Sequence, residues 1–544
     1  MITRLETSEI SNRNNALTRV DKKAVPDKQA PNFKGAGDIV VNLLQHCEKF
    51  PMLNVSVLDL STAIVPRSII ETFSGPKVEN ENGKKRRKAN VLAGAEAFRR
   101  ESSGLLINCL LPGFVVAGVA KLIQRPILGK EFKGSKLSNV WADSQALDKI
   151  SKYYVGANGT EEEKIFNAFR NMLSDLSGAD GNVAKNGLTE FKSVTDIDKY
   201  ARRMTDCVMN SSDANLKKTI KEIYRGLVGE THMSEHIKFN GDEKFLSSNL
   251  ESLTDDAIRV VREMHKHNIK EEKDVVKYIS KAKKLVKAKS LGGMAIILPL
   301  AIAAQPINRW ITRRTAGGMR GAPIYDEFKD KERNEEKGVK LSPKEKSALL
   351  RQKLVSISSM IGVALLSMSK FPSMAMLEFK GIFPSMDMAR IVSTSTFASR
   401  MATSEDKHEL KLSTARDITT FASMYFLGDY AAKGIATLIE KHNPNVSLLH
   451  RFKEVPQDAN VFKKFLNWAK NTSLKSSDEL ATKQLKNLRS WCQAGNIVFS
   501  LILLGLLVPM LTVSKARAGR NNDIQNAQNN NNEGIQTQNI GKAA

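Results

Sequence analysis

The stretch SLGGMAIILPLAIAAQPIN, residues 290–308, decides how this chain is read. It runs for 19 residues without an Asp, Glu, Lys or Arg. A bilayer core about 30 Å thick is crossed by a helix of roughly 17–25 apolar residues. Three further charge-free runs share this character: Ser102–Ala120 (19 residues), Leu354–Ser369 (16) and Ser490–Ser514 (25). The expected fold class is therefore mainly α: an integral membrane protein with about four Pro-containing apolar helices and a soluble helical domain.

Basic residues border these runs. Lys84-Lys85-Arg86-Arg87-Lys88 precedes the first, with Arg99 and Arg100 at its edge. Lys277, Lys281, Lys283, Lys284, Lys287 and Lys289 precede the second, and Arg309, Arg313, Arg314 and Arg320 follow it. Lys515, Arg517 and Arg520 close the fourth. Such residues hold a segment at headgroup level and favour anionic lipid. The net charge of +25 is thus assigned to a lipid bilayer, with anionic headgroups at the basic flanks. Read alone, Lys84–Lys88 also fits a nuclear-localisation or nucleic-acid patch, but aromatic residues for base stacking are scarce nearby, so nucleic acid is not the expected partner. Protein partners are expected without being identified by the sequence.

A mean hydropathy of −0.30 places most of the 544 residues in water. Cys47, Cys109, Cys207 and Cys492 form no C-x-x-C pair, which argues against a zinc ribbon or a redox motif. The polar opening of the chain has no signal-peptide core, so Ser102–Ala120 is the expected uncleaved targeting segment and the cell membrane the expected location.

Patterning divides the rest. Residues 1–37 are expected to be disordered, 38–100 to form an amphipathic region and basic linker, and 101–123 to form membrane helix 1. Residues 160–289 read as a soluble helical domain, 290–308 as membrane helix 2, and 342–369 as a helix running into membrane helix 3. An amphipathic helical region over 385–489, membrane helix 4 over 490–514 and a disordered Asn/Gln-rich tail over 515–544 complete the chain. Thr160 with Glu163, and Ser342 with Pro343 and Glu345, are capping-box helix starts. Ser476 with Glu479 is a third, expected to open a helix continuing through Trp491 into the fourth run.

Pro112, Pro299 and Pro509 fall inside apolar runs. Two readings follow: kinked spanning helices, or hairpins that dip into one leaflet and return. A four-span arrangement puts the N-terminus, the 309–353 loop and the C-terminus in the cytoplasm, with 121–289 and 370–489 on the other side. No run has an ionisable residue at its centre, which argues against an ion-coupled transporter.

One local motif suggests chemistry. His232-Met233-Ser234-Glu235-His236 has the form H-x-x-E-H. On a helix, two histidines four apart share a face and can reach one zinc ion, with a carboxylate as base for its water. Together with Ile237-Lys238-Phe239-Asn240-Gly241, the motif resembles the zinc site of pitrilysin-type (inverzincin) metallopeptidases. The resemblance implies His232 and His236 as ligands and Glu235 as the base. It spans about a dozen residues, and the Glu that family supplies further downstream is missing at the corresponding distance. Asp175–Glu190 faintly resembles a calcium-binding EF-hand loop, but the spacing is too long, and an ordinary turn between helices is expected. No phosphate-binding loop is present. The expected function is structural or scaffolding, with no catalytic residue, cofactor or metal; the alternative is a zinc metallopeptidase using His232, Glu235 and His236.

Overall fold

A computed structural model describes residues 36–48, 51–73, 77–79, 85–87, 89–130, 144–178, 194–242, 246, 248–315, 342–368, 378–379, 386–405, 407–452, 460–512 and 515. The expected disordered ends lie outside these residues, except for 36–37 and 515. Residues 1–43 and 44–544 form two compact units. The described part of the first is the opening of helix α1 (Ala36–Glu48); the remainder of this section concerns the second.

The described chain is mainly helical, and five helices are long and apolar enough to cross a membrane: Leu53–Thr72, Val91–Leu128, Glu272–Arg314, Pro343–Ser367 and Lys483–Thr512. Four of them carry the expected apolar runs. Leu53–Thr72 corrects the expected number from about four to five. It consists of the end of α2 (Pro51–Asp59), a π-helical turn Leu60–Ile64, and α3 (Val65–Thr72).

The helices continue through their prolines without reversing. Helix α4 (Val91–Leu105) passes through a π-turn, Leu106–Leu110, into α5 (Leu111–Leu128), which contains Pro112 and Pro126. Proline lacks an N–H and its ring crowds the carbonyl four residues back. A wide π-turn just before it relieves both problems. The same sequence recurs at Leu60–Ile64 before Pro66, and at Leu501–Leu507 before Pro509. The hairpin reading of Pro112 therefore does not hold, since the helix continues in one direction through it.

Between the second and third candidate spans lies a helical domain. It comprises α6 (Ser144–Val155), α7 (Glu161–Ser174), α8 (Val194–Asn210), α9 (Leu216–Thr231) and α10 (Leu250–Lys266). Their apolar faces share a core with the end of α5 and the first half of α11 (Glu272–Thr315), running from Leu128 to Val286 and including Phe169, Phe239 and Tyr278. At about 1.5 Å per residue, the 38-residue and 43-residue helices are longer than a bilayer core, and their excess length enters this domain.

Helices α4–α5 and α11 pack antiparallel. Lys281 Nζ donates to Leu128 O (2.9 Å), and Arg99 Nη1 to Asn308 Oδ1 (2.9 Å) at the opposite end. Midway, a Cβ on Gly293 would sit 2.3 Å from Val116 Cγ2, so only glycine permits this approach. Helix α12 (Pro343–Ser367) forms the fourth candidate span. Helix α13 (Met386–Ala402) then runs beside α11 in the same direction: Phe379 N, just before α13, donates to Ser290 Oγ (3.0 Å), and Ser399 Oγ to Ile302 O (2.6 Å). The chain returns through α14 (Lys407–Ala422), a π-turn Ser423–Leu427, and α15 (Gly428–His442). Helix α15 packs on α17 (Lys483–Ser500), the start of the fifth candidate span; Gly495 lies against Ile435. Within 385–489, α13 buries residues such as Met388, Val392 and Arg400, whereas α14 buries only Leu410, Asp417 and Phe421 and leaves other positions exposed.

Three two-stranded antiparallel sheets complete the described structure. β1 (Lys77–Glu79) pairs with β2 (Lys85–Arg87), and β3 (Leu176–Ser177) with β4 (Lys238–Phe239). β5 (Leu449–Arg451) pairs with β6 (Thr472–Leu474), with His450 opposite Ser473. The capping boxes at Thr160 and Ser342 form as expected. Ser476 and Glu479 instead close a single 3-10 turn, and α17 starts afterwards behind Thr482.

Candidate functional site

Among the described residues, a buried constellation of ionisable groups sits among the candidate spans, assembled from four separated segments. Helix α3 supplies Arg67 and Glu71, α4 supplies Glu101, α13 supplies Arg400, and α14 supplies Arg416 and Asp417. Arg67 pairs with Glu71 (2.8 Å) and Glu101 (3.2 Å). Arg400 and Arg416 each reach Glu101 at 3.5 Å, and each reaches Asp417 Oδ1 at 2.9 Å. Glu101 therefore serves three guanidiniums and Asp417 two. Asp417 is 1% exposed and Arg400 6%, so these contacts are shielded from solvent.

Arginine suits such a node because its planar fork donates to two carboxylates at once and stays charged. The cluster surrounds a cavity also lined by Asp59, Phe397, Leu504 and Pro509, with a water-accessible volume of 30 Å³. That is room for about two water molecules. Arg400 Nε, Arg416 Nη2 and Asp417 Oδ2 are buried without a hydrogen-bond partner from the protein.

Two further ionic groups lie toward the same end of the bundle. Arg309 pairs with Glu405 (3.1 Å) and Glu409, and its Nε donates to Thr403 Oγ1 (3.2 Å). Glu96 accepts from Arg99 Nε (2.9 Å) and from Thr312 Oγ1. The ends of α3, α11 and the fifth span meet the starts of α4 and α12 here, so the connections 73–90 and 316–342 leave from this end.

Of these residues only Arg99 and Arg309 were named in the sequence, as basic flanks at headgroup level; Arg309 is instead buried on Glu405 and Glu409. Asp59 splits the apolar stretch Val55–Ile64 and hides a span there. Arg400, Arg416 and Asp417 interrupt moderately apolar segments, which mimics an amphipathic surface helix; they turn inward because their partners are inside.

His232, Glu235 and His236 lie elsewhere. Helix α9 ends at Thr231, and His232 caps it in the left-handed region (φ 51°). His236 is also left-handed (φ 55°). The two imidazoles therefore do not occupy consecutive turns of a helix, which is the geometry the peptidase resemblance requires. Among the described residues no group of three His, Cys, Asp or Glu side chains is placed to hold a metal ion.

Instead the segment docks on the far C-terminal region. Glu479 accepts from the backbone N–H groups of Ser234 (3.3 Å), Glu235 (3.1 Å) and Ser476 (2.8 Å), and pairs with His450 Nε2 (2.9 Å). Ser473 Oγ and His236 Nε2 are 3.3 Å apart, and Tyr224 OH donates to Asp478 (3.3 Å). Burial opposes ionisation of Glu479, but His450 and the backbone donors overcome it and hold the carboxyl below its usual range. Burial, reinforced by neighbouring His450, pulls His236 down to about 4. These groups form a latch between the helical domain and residues 449–479. Asp175 accepts from Tyr153 OH (2.7 Å), and most of the faint EF-hand stretch, 179–190, lies outside the described residues.

No protein-family model, curated protein or solved structure matches this chain.

Proposed function

We propose that this protein is a membrane-anchored scaffold: a helical bundle in the bilayer that holds a helical domain rigidly at one face. The observation that supports this reading is the arginine-based cluster around Glu101 and Asp417. Its carboxylates are shared among guanidiniums, and the adjoining cavity has space for water rather than a solute. Arrangements of this type hold helices in register, and removing one member leaves a buried charge uncompensated at a cost of about 3–5 kcal/mol.

In this reading the basic connections 73–90 and 316–342 and the C-terminal tail face the cytoplasm, following the positive-inside rule. The helical domain and residues 443–482 face the opposite side.

The test is passive flux through proteoliposomes containing the full chain. A scaffold leaves proton and chloride leak at the level of protein-free vesicles, while Asp417→Asn lowers thermal stability. A protein-dependent leak that Asp417→Asn abolishes, with the fold intact, overturns the scaffold in favour of a transport pathway.

A further inference from the structure

One short helix leaves most of its apolar face exposed among the described residues. Helix α16 (Val461–Asn471, VFKKFLNWAKN) is held by its C-terminal half: Trp468 Nε1 donates to Thr437 Oγ1 (3.1 Å), and Trp468 and Phe465 pack against Tyr430. Its N-terminal half is exposed, with Val461 at 84%, Phe462 at 67% and Phe465 at 50%. At 100° per residue, Val461, Phe462, Phe465 and Leu466 fall on one side and Lys463, Lys464 and Lys470 on the other. No Asp or Glu occurs between Asp458 and Asp478.

The level of this helix is fixed by its supports. Tyr430 and Thr437 belong to α15, which packs on α17. Gly428 lies against Asn496 there, and Ile435 against Gly495. The charge-free run of the fifth span begins at the same level, at Ser490, and Trp491 is 57% exposed beside it. An exposed tryptophan at the start of a span marks the membrane–water boundary.

We propose that α16 lies in the plane of the bilayer surface, with Val461, Phe462, Phe465 and Leu466 among the upper acyl chains and its three lysines on anionic headgroups. Both the segregated faces and the exclusively basic polar side match an interfacial helix. The inference rests on the reading of the spans as lipid-embedded, and its test separates the two.

Full-length Phe462→Cys and Leu506→Cys proteins, each labelled with an environment-sensitive dye, are reconstituted in phosphatidylcholine vesicles with or without phosphatidylglycerol. The native cysteines are buried and stay unlabelled. The dye at 462 is expected to be shielded from iodide and quenched by a lipid carrying a shallow spin label, more strongly with phosphatidylglycerol. Lys463→Gln, Lys464→Gln and Lys470→Gln should each weaken that anionic preference by about fivefold. A dye at 506 quenched by lipid beside a dye at 462 open to iodide in both vesicles overturns the α16 inference alone. Lipid quenching at 462 that ignores phosphatidylglycerol and the lysines overturns its anionic-headgroup part. Failure of lipid quenching at both positions overturns the embedded spans, and the inference with them.

Discussion

Replacing His236 by Asn isolates the electrostatic cost of the latch between the helical domain and residues 449–479. His236 sits edge-on to Phe452 (4.9 Å between ring centroids) and to His450 (6.0 Å). Burial and His450 lower its pKa from 6.5 to about 4. In the unfolded chain it protonates near 6.5, whereas the folded protein refuses the proton until about pH 4. The stability it contributes is therefore fully present above pH 6.5 and is lost as pH falls through 4. The gap of about 2.5, at ~1.4 kcal/mol for each pH unit, amounts to about 3 kcal/mol. Asparagine tolerates the left-handed backbone at this position and does not titrate. Thermal unfolding of the full chain in detergent, followed by circular dichroism from pH 7 to pH 4, should show a steep loss in the native protein. The His236→Asn protein should lose about 3 kcal/mol less over the same range, even if it starts lower. Glu479 also loses stabilisation on acidification, but it is common to both proteins. Parallel curves would refute the assignment of this acid sensitivity to His236.

Gly293→Ala should destabilise the α5–α11 contact by about 1–3 kcal/mol through overpacking, and Val116→Ala in the same chain should recover much of that loss in a thermal melt. Asp417→Asn should cost about 3–5 kcal/mol, whereas the fully apolar replacement Arg400→Met, Arg416→Met, Glu101→Leu, Asp417→Leu should cost less than the single change, as read by denaturation in detergent. An aromatic disulfide reagent should modify none of Cys47, Cys109, Cys207 and Cys492 in the folded protein and all four after denaturation, because each is buried. Thr160→Ala removes the cap of α7 and should lower stability by about 1 kcal/mol, measurable as a reduced melting temperature of the full chain.

The helical class and four of the candidate spans were legible because both depend on local information: uninterrupted apolar length, and caps such as Thr160 with Glu163. The span at Leu53–Thr72 was obscured by Asp59, Arg67 and Glu71, because the contact that offsets such charge, Arg67 with Glu101 on another helix, is not visible in the sequence. The ionic cluster was out of reach for the same reason. Glu101 meets Arg400 across nearly three hundred residues, and no spacing in the sequence encodes that meeting. The H-x-x-E-H motif illustrates the converse. Its spacing carries a geometry only on a helix, and α9 stops at Thr231, whose Oγ1 turns back to Leu227 O (2.7 Å) just before His232 caps the end. Ser476 and Glu479 likewise make the contacts of a capping box, but Glu479 is also committed to Ser234 and Glu235, and the helix begins only after Thr482.

The reach of that last contact bears on biosynthesis. The amides of Ser234 and Glu235 leave the ribosome some 245 and 244 positions ahead of the carboxylate that accepts them. At about 5–20 residues per second, the interval is roughly 12–50 s. During it the helical domain can assemble its own apolar core, while two backbone donors and the surface around His236 await residues that have not been translated. The third, fourth and fifth spans are all made in that window or directly after it. Quality control acting on nascent chains would meet a domain that is folded but not yet sealed, and a ribosome stalled before residue 479 would leave it permanently in that state.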